Sequence, residues 1–322
     1  LGLEKFMDFG FVKQYVVSSK LPVNDMWLAG ESINYYSFGH FLTSVLTRIW
    51  GEGLGTGYNL MLAWTLGSSL ALSFSVIVNL LLTGSTSEQS RPESRTVSDE
   101  KPSGGAILGG VMGALLTGLG GNSHALWYLL KNKGFEGYWY ADATRFIENT
   151  IHEFPGYSFV VSDLHGHVLG LPIVLAFVLV LVATKSHLRG VILGVLMGVM
   201  AMTNTWDVAV YGLLLGVLGA IWTFVIPIGV PTLLGRGRNR GIPFNCKSIS
   251  QRDLSTRGLG RDDRGEGLGR DDRMSRIKEF LKLGLVVGVV AGITALPWIL
   301  NFESFSDGIG LTTERSPLWQ MG

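Results

Sequence analysis

Residues 168–184 read VLGLPIVLAFVLVLVAT, an apolar run without a charged side chain. A helix that crosses the hydrocarbon core of a bilayer needs about 20 mainly apolar residues. Five further stretches, near 58–82, 105–121, 190–203, 208–230 and 281–300, have the same character, the run at 190–203 being short. The composition agrees: 47% of the 322 residues are hydrophobic, 16% are charged, and the mean hydropathy is +0.33. Soluble domains carry charge on about 25% of their residues. The pattern therefore predicts an all-α, polytopic transmembrane bundle of six spans. Small residues recur within it, at 105–121 and 284–292, where they let helix backbones approach closely in lipid.

The charge distribution sets an orientation. Arg91, Arg95 and Lys101 lie between the first two spans, Lys185 and Arg189 between the third and fourth, and an arginine-rich loop before the last. With six spans all three loops share one side, which the positive-inside rule makes cytoplasmic. Residues 1–57, 122–167, 204–207 and 301–322 then face outward. A seventh apolar stretch, 35–50, carries His40 and Arg48 and would split the basic loops if it spanned. It reads as an amphipathic helix lying in the interface.

Domain organisation follows: an outer loop with an interfacial helix (1–57), a membrane core (58–230) holding the outer loop 122–167, a polar cytoplasmic segment (231–280) read as disordered, and a last span with an outer tail (281–322). The polar stretch 85–105 reads as a second disordered segment. GLGRDDR occurs twice, at 258–264 and 267–273. Its mixed charge reads as a solvated spacer. The sequence starts at Leu1 and stops after SPLWQMG, so it reads as an excerpt truncated at both ends. The formal net charge of +1 gives no reason to expect nucleic acid. Cys246 stands alone, which excludes a disulfide framework and a cysteine-based zinc site. Membrane lipid is the expected surroundings, in the plasma membrane of a bacterium or archaeon.

Polar residues capable of chemistry collect in the outward segments. Glu4 and Asp8 lie in LEKFMDFGF; Tyr35, Tyr36 and His40 lie in NYYSFGH; His152, Glu153, Asp163, His165 and His167 lie in HEFPGYSFVVSDLHGH; Asp207 ends TNTWD. Asp163, His165 and His167 form D-x-H-x-H. In extended chain, residues two apart share a side, and an aspartate with two imidazoles suits a divalent metal or acid–base work near neutral pH. Asp207 lies close to the membrane core, where an unpaired acid is costly. It reads equally as a cap for the helix that follows.

These runs, with LPWILNFESFSDGIGL at 296–311, resemble the YYY-type membrane proteins of Chloroflexi and archaea. Ser37, Gly166 and Val208–Ala209 depart from that family's pattern. More distantly, the layout is similar to the class-C membrane glycosyltransferases, which place an acid in a long first outer loop before interfacial helices and many spans. That resemblance implies sugar transfer from a polyprenyl-phosphate donor at the outer face. It makes Asp8 the expected general base and Asp163, His165 and His167 the expected metal or leaving-phosphate site. Glu4, Tyr35, Tyr36, His40, Arg145, Glu153 and Asp207 become candidate substrate contacts. The alternative is a non-catalytic transporter or assembly scaffold.

Overall fold

In the computed structural model the described residues are 4–34, 37–85, 101–145, 147, 150–184, 188–225 and 264–302. Tyr35, Tyr36, most of the polar stretch 85–105, residues 226–263 and the tail after 302 lie outside them, and the side chain of Glu4 is likewise not described. Ten α-helices order these residues: α1 Glu4–Val17, α2 Ser37–Trp50, α3 Leu54–Ser85, α4 Gly104–Leu119, α5 His124–Asn132, α6 Pro155–Val160, α7 Gly166–Ala183, α8 Arg189–Thr203, α9 Thr205–Ala220 and α10 Arg264–Ile299.

Each of the six apolar runs coincides with a helix over its described residues, but not all are long enough to span. Stretches within α3 and α10, the whole of α7, and α9 continued to Phe224 are long and apolar enough to cross a membrane. A fifth crossing exists if α4 and α5, bent by 75° at their junction, count as one broken span. The fifteen residues of α8 rise only about 22 Å, short of the ~30 Å hydrocarbon core. Among the described residues the expectation of six spans is corrected to four, or five with the bent pair. The short α8 is sheltered by protein, with Leu193, Met197 and Met200 buried in a core shared with Val174, Phe177 and Leu181 of α7 and Val287 of α10.

Glycine sets the close packing. A Cβ built on Gly194 would stand 2.6 Å from Val290 Cβ and 2.9 Å from the Val287 carbonyl; one on Gly198 would stand 2.8 Å from the Ala291 carbonyl. The contacts advance by the same step on both helices, so α8 and α10 run parallel. Gly284, Gly288 and Gly292, the stripe singled out on α10, meet nothing within 4 Å. The partner α8 supplies the small residues instead. On the other flank Gly109, Gly113 and Gly118 of α4 face Leu81, Ile77 and Leu70 of α3, an antiparallel pair joined by Ser73 Oγ and Thr117 Oγ1 at 2.8 Å.

Two elements differ from the sequence reading. Residues 264–280, assigned to a disordered loop, form the first turns of α10. Arg276 anchors them by donating to the Trp222 carbonyl at 2.9 Å and lying over that indole. The stretch read as an interfacial helix begins at Ser37 and packs against α1, α3, α7 and α8. Its polar and small face, Gly39, His40, Thr43, Ser44 and Thr47, is the buried one. The hydroxyls of Thr43 and Thr47 donate to carbonyls one turn back, which lets them be buried satisfied. Exposed apolar side chains occur instead on α5, at Leu126, Trp127 and Leu130.

The segments assigned outward gather at one end of the bundle. Trp298, at the end of α10, donates to the Asn34 carbonyl at 2.9 Å. A Cβ on Gly156 would lie 3.2 Å from the Leu119 carbonyl, one on Gly57 would strike Thr47, and one on Gly170 would reach Asp207 Oδ2 at 2.9 Å.

Candidate functional site

Helix α1 buries Asp8, Phe11, Val12 and Tyr15, spaced i, i+3, i+4 and i+7, so Asp8 belongs to the helix's inward stripe. The end of α1 is held by Arg48 of α2, whose Nη2 donates to the carbonyls of Tyr15, Val16 and Ser18. That clamp brings α2 alongside α1 and sets His40 beside Asp8. The Asp8 carboxylate, with 0% exposure, accepts at Oδ1 from His40 Nε2 at 3.0 Å and from His165 Nδ1 at 3.1 Å. Phe11 packs edge-on against the His40 ring. Among the described residues, Asp8 Oδ2 is buried with no hydrogen-bond partner.

His165 arrives from the corner between α6 and α7. Pro155 opens α6, where its missing N–H costs nothing. The helix lasts under two turns, to Val160, and the chain then turns at Ser162, whose φ of +57° is left-handed, a conformation costing a non-glycine residue roughly 1–2 kcal/mol. Two bonds hold it: Tyr58 donates its hydroxyl to the Ser162 carbonyl at 3.3 Å, and the Asp163 amide donates to the Ser158 carbonyl at 2.8 Å. The chain then runs extended through Asp163, Leu164 and His165 before α7 begins. Leu164, fully buried, packs with Tyr58, Met61, Leu62 and Leu169. That anchor turns Asp163 and His165, on the opposite side, toward α1.

His167 lies past the start of α7, and the helical turn sends its ring elsewhere. Its Nε2 is 3.2 Å from Ser158 Oγ, 3.6 Å from Glu153 Oε2 and 3.8 Å from Asp163 Oδ2. Arg145 follows on, 3.8 Å from Glu153 Oε1. D-x-H-x-H therefore converges, but divides between two groups sharing Asp163. Asp8, Asp163 and His165 form one, and Glu153, Asp163 and His167 the other; in each, one potential ligand atom per residue lies within 4.8 Å of the others.

The electrostatics follow from this arrangement. Burial by itself pushes the Asp8 carboxyl up; the hydrogen bonds and positive charge of His165 and His40 outweigh it and hold the group below its ordinary value of 3.8. Asp8 is thus an ionised carboxylate at neutral pH. Exposure grades outward along the string: the side chains of Asp8 and His40 are sealed, His165 is 13% exposed, Glu153 17% and His167 40%.

Of the candidates from sequence, Asp8, His40, Arg145, Glu153, Asp163, His165 and His167 join one connected string. Asp207 does not; its carboxylate rests against Gly170, one turn of α7 beyond His167. Its amide donates to the Asn204 carbonyl at 3.0 Å, and Asn204 rather than Asp207 holds the cap position of α9. Sequence reasoning missed Ser158 and Tyr58. Nothing in their spacing marks them, since both become relevant only once α6 folds back on α3.

No curated protein and no solved structure matches the chain. The family model described as Uncharacterized membrane protein (DUF2298) matches residues 1–321, and with its apolar helices the chain belongs to that family of integral membrane proteins.

Proposed function

We propose that this protein is an integral-membrane glycosyltransferase that moves a sugar from a polyprenyl-phosphate donor to an acceptor hydroxyl outside the cytoplasm. The reading extends the resemblance of the first outward segment to the class-C enzymes. The observation that carries it is the accessible imidazole of His167, flanked by Glu153 and Asp163 and braced behind by the buried Asp8 centre. The basic loops on the opposite side orient this end outward under the positive-inside rule, in the plasma membrane of a bacterium or archaeon.

Asp8 has no exposure, and a pKa held below its ordinary value makes it a poor proton acceptor, so its role is to position His165. His167 takes the proton of the acceptor hydroxyl as the acceptor oxygen bonds to the anomeric carbon. The bond from that carbon to the donor phosphate breaks, and the polyprenyl phosphate leaves with the electron pair. Glu153 and Asp163 stabilise the imidazolium that forms. The phosphate is met by Arg145 and by the amino end of α7, whose dipole favours anions. A prenyl tail lies among the spans while its headgroup reaches this end.

The test is transfer in liposomes supplied with polyprenyl-linked sugars. His167→Gln is expected to lower the rate by roughly 10²–10⁴-fold, the usual contribution of a general base. Undiminished transfer in that variant would overturn the assignment. One observation favours a second reading: the string of titratable groups from Arg145 to His40 also suits a proton relay in a transporter. Proton-coupled flux without sugar transfer would favour it.

A further inference from the structure

We propose that Asp8, Asp163 and His165 hold a divalent transition-metal ion, which ties α1 to the corner between α6 and α7. This ligand set differs from the D-x-H-x-H triad of the sequence, because it takes Asp8 from a segment more than a hundred residues away and leaves His167 to its own neighbours.

The first observation is the grouping: one potential donor atom from each of the three residues lies within 4.8 Å of the others. The second is independent of it. Asp8 is completely buried, and its Oδ2 has no hydrogen-bond partner among the described residues. A buried carboxylate oxygen without a partner costs free energy unless a cation or a proton satisfies it.

The chemistry narrows the ion. Two carboxylate oxygens and one imidazole nitrogen, which gives up any proton it carries when the ion binds, suit Mn²⁺ or Zn²⁺ better than Ca²⁺ or Mg²⁺, which favour oxygen alone. His40 completes the arrangement by donating to Asp8 Oδ1. Such a bond orients a ligating carboxylate and commonly changes affinity by about 10–100-fold when removed. The side-chain exposures of 0% for Asp8, 7% for Asp163 and 13% for His165 describe a nearly closed site. Three protein ligands leave one coordination position for water, and the low exposure keeps a substrate from reaching it. The inference therefore stands apart from sugar transfer.

The experiment uses the whole chain in detergent, stripped with chelator and dialysed, then titrated with Mn²⁺ or Zn²⁺. The readouts are bound metal by mass spectrometry and the thermal unfolding midpoint. The expected result is saturable uptake of one ion per chain with a rise of the midpoint. Asp8→Asn and Asp163→Asn should remove both, His40→Gln should weaken binding about 10–100-fold, and Asp207→Asn, outside the string, should leave both intact. Failure of the wild-type chain to take up stoichiometric metal overturns the proposal, whether or not Asp8→Asn folds. So does uptake that survives Asp8→Asn but is lost in Glu153→Gln, which would put the ion at the other group. The first result leaves transfer by His167 untouched; the second would place the ion on the His167 imidazole and so counts against its role as a base as well.

Discussion

Asp8 makes contacts that its neighbours in the chain could not suggest. Its Oδ1 receives hydrogen bonds from a residue 32 positions on and from another 157 positions on. If those bonds are shared as the distances indicate, removing either partner should change what the other is worth. Single and double variants Asp8→Asn and His165→Gln, compared by thermal or denaturant unfolding, should show a coupling of roughly 0.5–3 kcal/mol. Additive effects would mean that the two side chains do not share a bond. The types and spacing of the key residues were readable: an acid in an aromatic helix, and D-x-H on an extended stretch with both side chains on one side. What could not be read was the partition. His167 leaves the set because α7 starts at Gly166, and helical backbone at His167 ends the two-residue alternation of the extended chain, although the two rings stay 5.6 Å apart. Helix starts are poorly marked when, as here, the cap residue is His165, whose side chain makes no capping bond.

At the scale of elements, hydropathy located α3, α4, α7, α8, α9 and the apolar part of α10 but missed α5 and misread how several are used. The amphipathic pattern of α2 was visible, yet amphipathicity does not say which face meets protein. Here the face bearing His40 and the hydroxyls turns inward because Asp8 offers it an acceptor and the backbone satisfies the rest. The glycines of α10 were equally visible, but the working stripe is Gly190, Gly194 and Gly198 on α8. A prediction separates the two. Gly194→Val places a methyl-bearing carbon against the Val287 carbonyl, which cannot rotate away, and should destabilise the protein by about 1–3 kcal/mol, the usual cost of overpacking. Gly288→Val on α10 meets open space and should leave the unfolding midpoint nearly unchanged. Equal effects in the two variants would contradict the parallel α8–α10 contact.

For the whole molecule, the decisive feature is that one end of the bundle collects the first segment, the α4–α7 connection, the α8–α9 turn and the end of α10. Reading all six apolar runs as alternating crossings leads to this grouping, and α8, too short to span by its length, still carries the chain back to the Gly170 end. That reading forecast nothing about depth, and Asp207 shows the consequence: it shares the end of the bundle with the site but lies a helical turn away from it. The site exists only if Lys20, just after α1, and Ile151, just before α6, emerge on the same side. With Cys246 replaced by serine, single cysteines at these two exposed positions can be labelled in intact cells by a maleimide that does not cross membranes. Both should react from outside without permeabilisation. Reaction of one from outside and of the other only after the membrane is opened would separate Asp8 from His165 and end the account.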